Sequence, residues 1–109
     1  MATKAIIGFM NPDGTVKAIM VWSDGYPDYT GECLAKHYGT PELASRLIDG
    51  GNLRSIESTI ETCAYCKDNK EEWEQCKPHT YRNFGHFLNH STEAQYLYIF
   101  QNDQWHYKD

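Results

Sequence analysis

From Val16 to Trp22 the chain places apolar side chains on both faces of what reads as a strand. Val16, Ala18, Met20 and Trp22 alternate with Lys17, Ile19 and Val21. A strand that is apolar on one face needs one covering layer; a strand apolar on both must lie inside a sheet or be covered on each side. The same holds near the end of the chain, where Tyr96, Tyr98 and Phe100 alternate with Leu97 and Ile99. This pattern points to a place inside the sheet or to cover on each face.

Each of these runs belongs to a hairpin. Ala5 to Met10 is strand-like, Asn11-Pro12-Asp13-Gly14 is a turn, and Thr15 to Trp22 is the return strand. Pro12 presets φ, and Gly14 takes positive φ without steric cost. At the other end Gln95 to Gln101, a turn at Asn102-Asp103, and Gln104 to Lys108 form the second hairpin. Between them lie helical signals. A first helix is expected from about Thr30 to Tyr38, closed by Gly39. In a second, Thr40 is the N-cap, Pro41 opens the first turn, Glu42 meets the positive end and Gly50-Gly51 stop it. Leu43, Leu47 and Ile48 form its core stripe. Ile56 to Thr62 reads as a third strand, Ala64 to Tyr81 as polar and irregular, and Asn83 as the cap of a helix that sets Phe84, Phe87 and Leu88 on one side. The expectation is an α+β fold over residues 1–109. Its antiparallel sheet has about four strands, built from the N- and C-terminal hairpins, with short helices packed against it.

Charge and length narrow the function classes. Ten Lys and Arg against fifteen Asp and Glu give a net charge of -5 in 109 residues, the opposite of the basic surface that general nucleic-acid binding needs. No run approaches the ~20 apolar residues of a membrane span. Met1-Ala2-Thr3-Lys4 leads straight into a strand, without the layout of a secretory leader, so a cytoplasmic location is expected. Four cysteines in that setting read as thiols or metal ligands rather than a disulfide framework.

The sharpest spacing is Cys63-x2-Cys66-x9-Cys76-x2-His79. Two short chelating pairs joined by a loop are the common sequence form of a structural zinc site, because two thiolates on one tight turn converge on one ion. The intervening Lys67-Asp68-Asn69-Lys70-Glu71-Glu72 has little to bury, and a metal would supply folding energy there. The other reading is four side chains that meet this spacing by chance, with free thiols. His86 and His90 stand four apart, as do Cys33 and His37. The first pair lacks the glutamate of a zinc hydrolase and reads as exposed histidines. The second lacks an orienting third group and reads as a core cysteine beside an imidazole. Neither G-x-G-x-x-G nor a P-loop occurs. No complete catalytic site is visible, so the expected activity is binding rather than catalysis.

Aromatic residues are 14% of the chain, and three fall in one loop, Trp22-Ser23-Asp24-Gly25-Tyr26-Pro27-Asp28-Tyr29. Rings there would either stack on a ligand or pack over the sheet edge. This loop also carries a resemblance. Asp13-Gly14-Thr15, Ala18-Ile19 and Trp22-x-Asp24-Gly25-Tyr26-Pro27-x-Tyr29-x-Gly31 resemble a group of small bacteriophage and prophage proteins of unassigned function. Leu34, Tyr38 and Thr40, then Ala64-Tyr65-Cys66-Lys67-Asp68, then Tyr96, Tyr98, Phe100 and Trp105 continue the likeness. The Cys63, Cys66, Cys76 and His79 set is no part of it.

The resemblance implies an accessory factor that counters host defence, acting in the host cytosol. The first expectation is a non-catalytic protein that sequesters a small nucleotide-derived immune signal. Its ligand would sit between Trp22, Tyr26 and Tyr29 and Tyr65, with Asp24 facing a ribose and Lys67, Arg54 or Arg82 facing phosphate. A homo-oligomer would help close such a pocket. The alternatives are an inhibitor that occludes a host nuclease or nucleic-acid-binding complex, and a zinc-stabilised nucleic-acid module.

Overall fold

A computed structural model describes residues 3–89 and 94–108. The first hairpin forms as its sequence predicts. β1 (Ala5–Met10) pairs antiparallel with β2 (Val16–Val21). Their loop is held by Asp13, whose Oδ1 accepts from the Thr15 backbone N at 3.0 Å and from its Oγ1 at 2.7 Å, while Gly14 takes φ +91°. The second hairpin is β6 (Tyr96–Gln101) and β7 (Gln104–Lys108), turned at Asn102 and Asp103 with φ 55° and 62°.

After β2 a π-helical turn at Pro27–Gly31 leads into α1 (Glu32–His37). Tyr38, not Gly39, ends that helix. α2 (Pro41–Asp49) is capped by Thr40, whose Oγ1 accepts from Leu43 N at 3.2 Å, and Gly51 leaves it at φ +89°. β3 (Leu53–Ser55), β4 (Ala64–Tyr65), α3 (Trp73–Cys76), β5 (His79–Tyr81) and α4 (Phe84–Asn89) complete the order. Asn83 caps α4 through Oδ1, which accepts from His86 N at 2.8 Å.

The expected four-stranded antiparallel sheet is not what forms. Seven strands build one mixed sheet in the order β4-β3-β2-β1-β6-β7, and β5 pairs with β2 alongside β3. The two hairpins join through β1 and β6, which run parallel, and β2 and β3 are parallel too. A turn orients the two strands that it connects, but nothing local orients one hairpin against another far along the chain. The three added strands are two or three residues long, too short to show a period of two. The strand expected over Ile56 to Thr62 lies earlier, at β3. Ile60–Thr62 is instead a 3-10 turn closed by reciprocal Thr59 and Thr62 hydroxyl bonds, a local alternative that these residues offer to a ladder.

Both faces of the sheet are covered, which explains the two-sided apolar strands. Ala5, Ile7, Ile19, Val21 and Tyr98 meet Leu34 and Tyr38 from the α1 side and Leu47 and Ile48 from α2. On the other face Ile6, Val16, Ala18 and Ile99 meet Phe87 of α4 and Tyr81. No helix among the described residues is long and apolar enough to cross a membrane.

Candidate functional site

The loop after β2 is first a clasp. Asp24 takes φ 57°, and Gly25 then lies so close to β1 that its N–H donates to Thr3 O at 2.9 Å. Buried Thr30 donates through Oγ1 to Asp24 O at 2.6 Å, and buried Tyr98 donates its hydroxyl to Gly25 O at 2.7 Å. Tyr29 donates to Ile56 O at 2.9 Å. Burial, then the neighbouring Glu57 carboxylate, hold its phenol above the usual range. These bonds tie the loop to β1, to β6 and to the segment after β3. Trp22 and Tyr26 keep 38% and 39% of their surface in solvent.

The expected ligand residues separate into groups. Trp22 carries Lys4 Nζ over its ring at 5.0 Å, and its indole lies beside the Cys66 thiol. Lys67 stands next in sequence, with Nζ 5.2 Å from the Tyr65 ring and 5.7 Å from that of Trp73. Exposed Arg54 is at this end as well, its carbonyl accepting from Ser23 Oγ at 2.7 Å. Tyr65 belongs to the core: its hydroxyl donates to Leu47 O at 2.7 Å, and its ring fills the space over Gly50, where a Cβ would come within 2.4 Å. Exposed Asp24 and Tyr26 border the clasp, and Tyr29 shares a cavity lining with Cys33 and His37 of α1. Arg82 follows Tyr81, which pairs with Val16 at the other end of β2, some 20 Å from Trp22 at ~3.3 Å per strand residue.

The proposed zinc ligands are also spread. Cys63 is in the α2-side core, 3.4 Å from the Tyr38 hydroxyl and accepting from Glu57 N at 3.3 Å. Cys66 and Cys76 flank Asn52, which donates to Cys76 O at 2.7 Å and accepts from Cys66 N at 2.9 Å. His79 lies on β5, its ring 4.6 Å from that of Tyr81. Among the described residues no three His, Cys, Asp or Glu side chains converge as a metal site requires. Cys33 and His37 line a shallow cavity with Tyr29 and Glu57. Burial raises the Cys33 thiol to about 11, so it is not a thiolate nucleophile at neutral pH. His90, the partner expected for His86, falls outside the described residues.

Thiol reactivity reads this arrangement directly. Cys63, Cys66 and Cys76 are buried, and burial lifts Cys66 to about 11. Titration with an aromatic disulfide at pH 8 is expected to label at most Cys33 in the folded protein and all four cysteines in denaturant. Rapid native labelling of three or four would contradict the burial.

A larger concavity than the one beside Cys33 lies over the second face of the sheet, between α3 and α4. It encloses about 430 Å³. Ile6, Ala18 and Met20 form its floor; Asn52, Gln75 and Lys77 form one wall, and His79, Tyr81 and His86 the other. Three rings thus stand together, since Tyr81 lies 4.6 Å from His79 and 5.4 Å from His86. Asn52 Oδ1 accepts from Met20 N at 2.9 Å, which bridges the gap between β3 and β5 and fixes the side chain where it lines the groove. Glu74 holds Lys77 at the rim, 2.8 Å away. Sequence reading assigned His79 to zinc and missed Asn52, Gln75, Lys77 and Tyr81 altogether. The one available signal was the alternation in His79-Thr80-Tyr81, which puts two rings on the same side of a strand.

Compared with models of known families, with curated proteins and with solved structures, the chain matches none.

Proposed function

We propose that this protein is a non-catalytic binder that sequesters a small nucleotide-type ligand, and that the ligand seats in the groove between α3 and α4. The observation that carries this reading is the lining of a cavity of about 430 Å³: three clustered rings, one lysine and two carboxamides over an apolar floor. Ligand sites of a few hundred Å³ combine an apolar bed with a few orienting polar groups in this way. A base stacks against His79 and Tyr81, Lys77 exchanges Glu74 for a phosphate, and the Asn52 and Gln75 amides meet the base edge. The resemblance of the Trp22 to Gly31 segment supplies the setting, in which the ligand is a host immune signal made during phage attack.

Isothermal titration with a cyclic dinucleotide, ADP-ribose and AMP tests the proposal. At least one is expected to bind with a stoichiometry of one per chain. Ring stacking contributes about 1–3 kcal/mol per base, so His79→Ala is expected to weaken that ligand by roughly 5- to 150-fold. Trp22→Ala should leave it unchanged. Failure of all three to bind overturns the reading. Loss of binding in Trp22→Ala with His79→Ala unaffected would move the site to the Trp22, Lys67 and Trp73 face.

A further inference from the structure

The outer edge of the sheet at β7 has unused backbone groups. The turn at Asn102-Asp103 has positive φ at both residues, 55° and 62°, the geometry of a two-residue type I′ hairpin. In such a hairpin the pair that flanks the turn, Gln101 and Gln104, exchanges backbone hydrogen bonds, and these bonds recur at every second pair. The observed register then makes Ile99 with His106, and Leu97 with Lys108, the other bonded pairs. The N–H and C=O groups of Trp105 and Tyr107 therefore point away from β6, and among the described residues no strand follows β7 in the sheet.

Natural edges are usually blunted by charge, proline or a bulge. From Gln104 to Tyr107 this edge has none of these. It is also rich in rings. Tyr107 is 58% exposed, and Trp105 is fixed on the same face by its Nε1–H, which donates to Tyr38 O at 2.8 Å.

We propose that β7 pairs antiparallel with β7 of a second copy, about a two-fold axis at His106, to make one continuous sheet across a homodimer. The strand is self-complementary in that register. Trp105 lies opposite Tyr107 of the partner subunit, and both have outward backbone groups, so the pair exchanges N–H···O bonds; the symmetry repeats this at the other end. The two Trp–Tyr pairs form cross-strand ring contacts on the α1 face, a favoured pairing on antiparallel sheets. Gln104 lies opposite Lys108, which brings the lysine beside Asp103 of the partner subunit. Within one chain neither Lys108 nor Asp103 has an ion pair among the described residues. Centring the axis on any other β7 residue shortens the paired stretch. This edge and the ligand groove lie on opposite sides of β1, so the dimer and the nucleotide reading stand or fall separately.

Native mass spectrometry and sedimentation at about 100 μM protein, with amide hydrogen exchange, test the proposal. The expected result is a dimer in which the Trp105 and Tyr107 amides exchange slowly. Tyr107→Pro removes one outward N–H and leaves the β6–β7 bonds in place, so it should give a monomer with an unchanged far-ultraviolet spectrum. Exchange in the unmodified chain supplies the second readout, which does not depend on how that variant folds. A monomer at this concentration overturns the proposal, including the case in which the edge captures a strand of another protein. A dimer whose Trp105 and Tyr107 amides exchange at unprotected rates overturns it too, as does a dimer that survives Tyr107→Pro.

Discussion

Gly25→Ala is expected to lower the melting temperature by roughly 12 °C. A Cβ at Gly25 would stand 2.7 Å from the Ala5 Cβ and 2.9 Å from both the Ala5 backbone N and Thr3 O. Two of these neighbours are backbone, and the start of β1 cannot retreat because the strand lies between β2 and β6. Overpacking of this kind costs about 1–3 kcal/mol. The cost here falls at the upper end, because the shift would also strain the bonds from Tyr98 to Gly25 and from Thr30 to Asp24. At about 4 °C per kcal/mol for a chain of this size, the melting point moves by the stated amount.

Tyr98→Phe tests the same clasp from the other side. It leaves the buried Gly25 carbonyl without its donor and is expected to cost about 1–2 kcal/mol. Trp22→Ala and Tyr26→Ala, which truncate half-exposed rings, should stay within about 1 kcal/mol of the parent. Differential scanning calorimetry separates these outcomes. Equal melting points for Gly25→Ala and Tyr26→Ala would mean that the loop is not a structural clasp.

The second large effect is alkaline unfolding. Burial raises the thiols of Cys33 and Cys66 from 9.0 to about 11 and also raises the phenols of Tyr38, Tyr65 and Tyr98 above their ordinary 10.0. In each, the folded chain keeps a proton that the unfolded chain releases at a lower pH. Stability from these groups is therefore fully present below pH 9. It declines between the unfolded and folded values, by about 1.4 kcal/mol per pH unit for each proton retained. Two thiols act from pH 9, and three phenols join above pH 10.

The chain is thus expected to unfold before those phenols ionise in place. Three of its eight tyrosines should gain phenolate absorbance together with the loss of near-ultraviolet dichroism, in one steep step above pH 10. Gradual ionisation of all eight near pH 10 with the dichroism retained would show that these phenols are not buried as described.

What could be read from residues alone was what short-range chemistry decides. Asn11 to Thr15 and Asn102-Asp103 turn the chain with residues suited to their backbone angles, and Thr40, Pro41 and Gly51 bound α2 by capping. The groove was hidden for a different reason. His79 and Tyr81 on β5, His86 on α4 and Asn52 before β3 carry no common spacing, and only the pairing of β5 with β2 brings them together. The Cys63 to His79 spacing is the complementary case. It is regular along the chain, whereas in the fold Cys63 sits in the α2-side core and the backbones of Cys66 and Cys76 bond to that of Asn52.

By itself the sequence determined that two hairpins form, that their central strands need cover on both faces, and that helices provide it, because turns, caps and alternation act over a few residues. Only the tertiary structure decided that the hairpins join through parallel β1 and β6, that Gly25 and Tyr98 lock the aromatic loop, and that a ring-lined groove opens beside β2. Those outcomes depend on which distant surfaces fit together, and fit between separated segments leaves no periodic trace in either one.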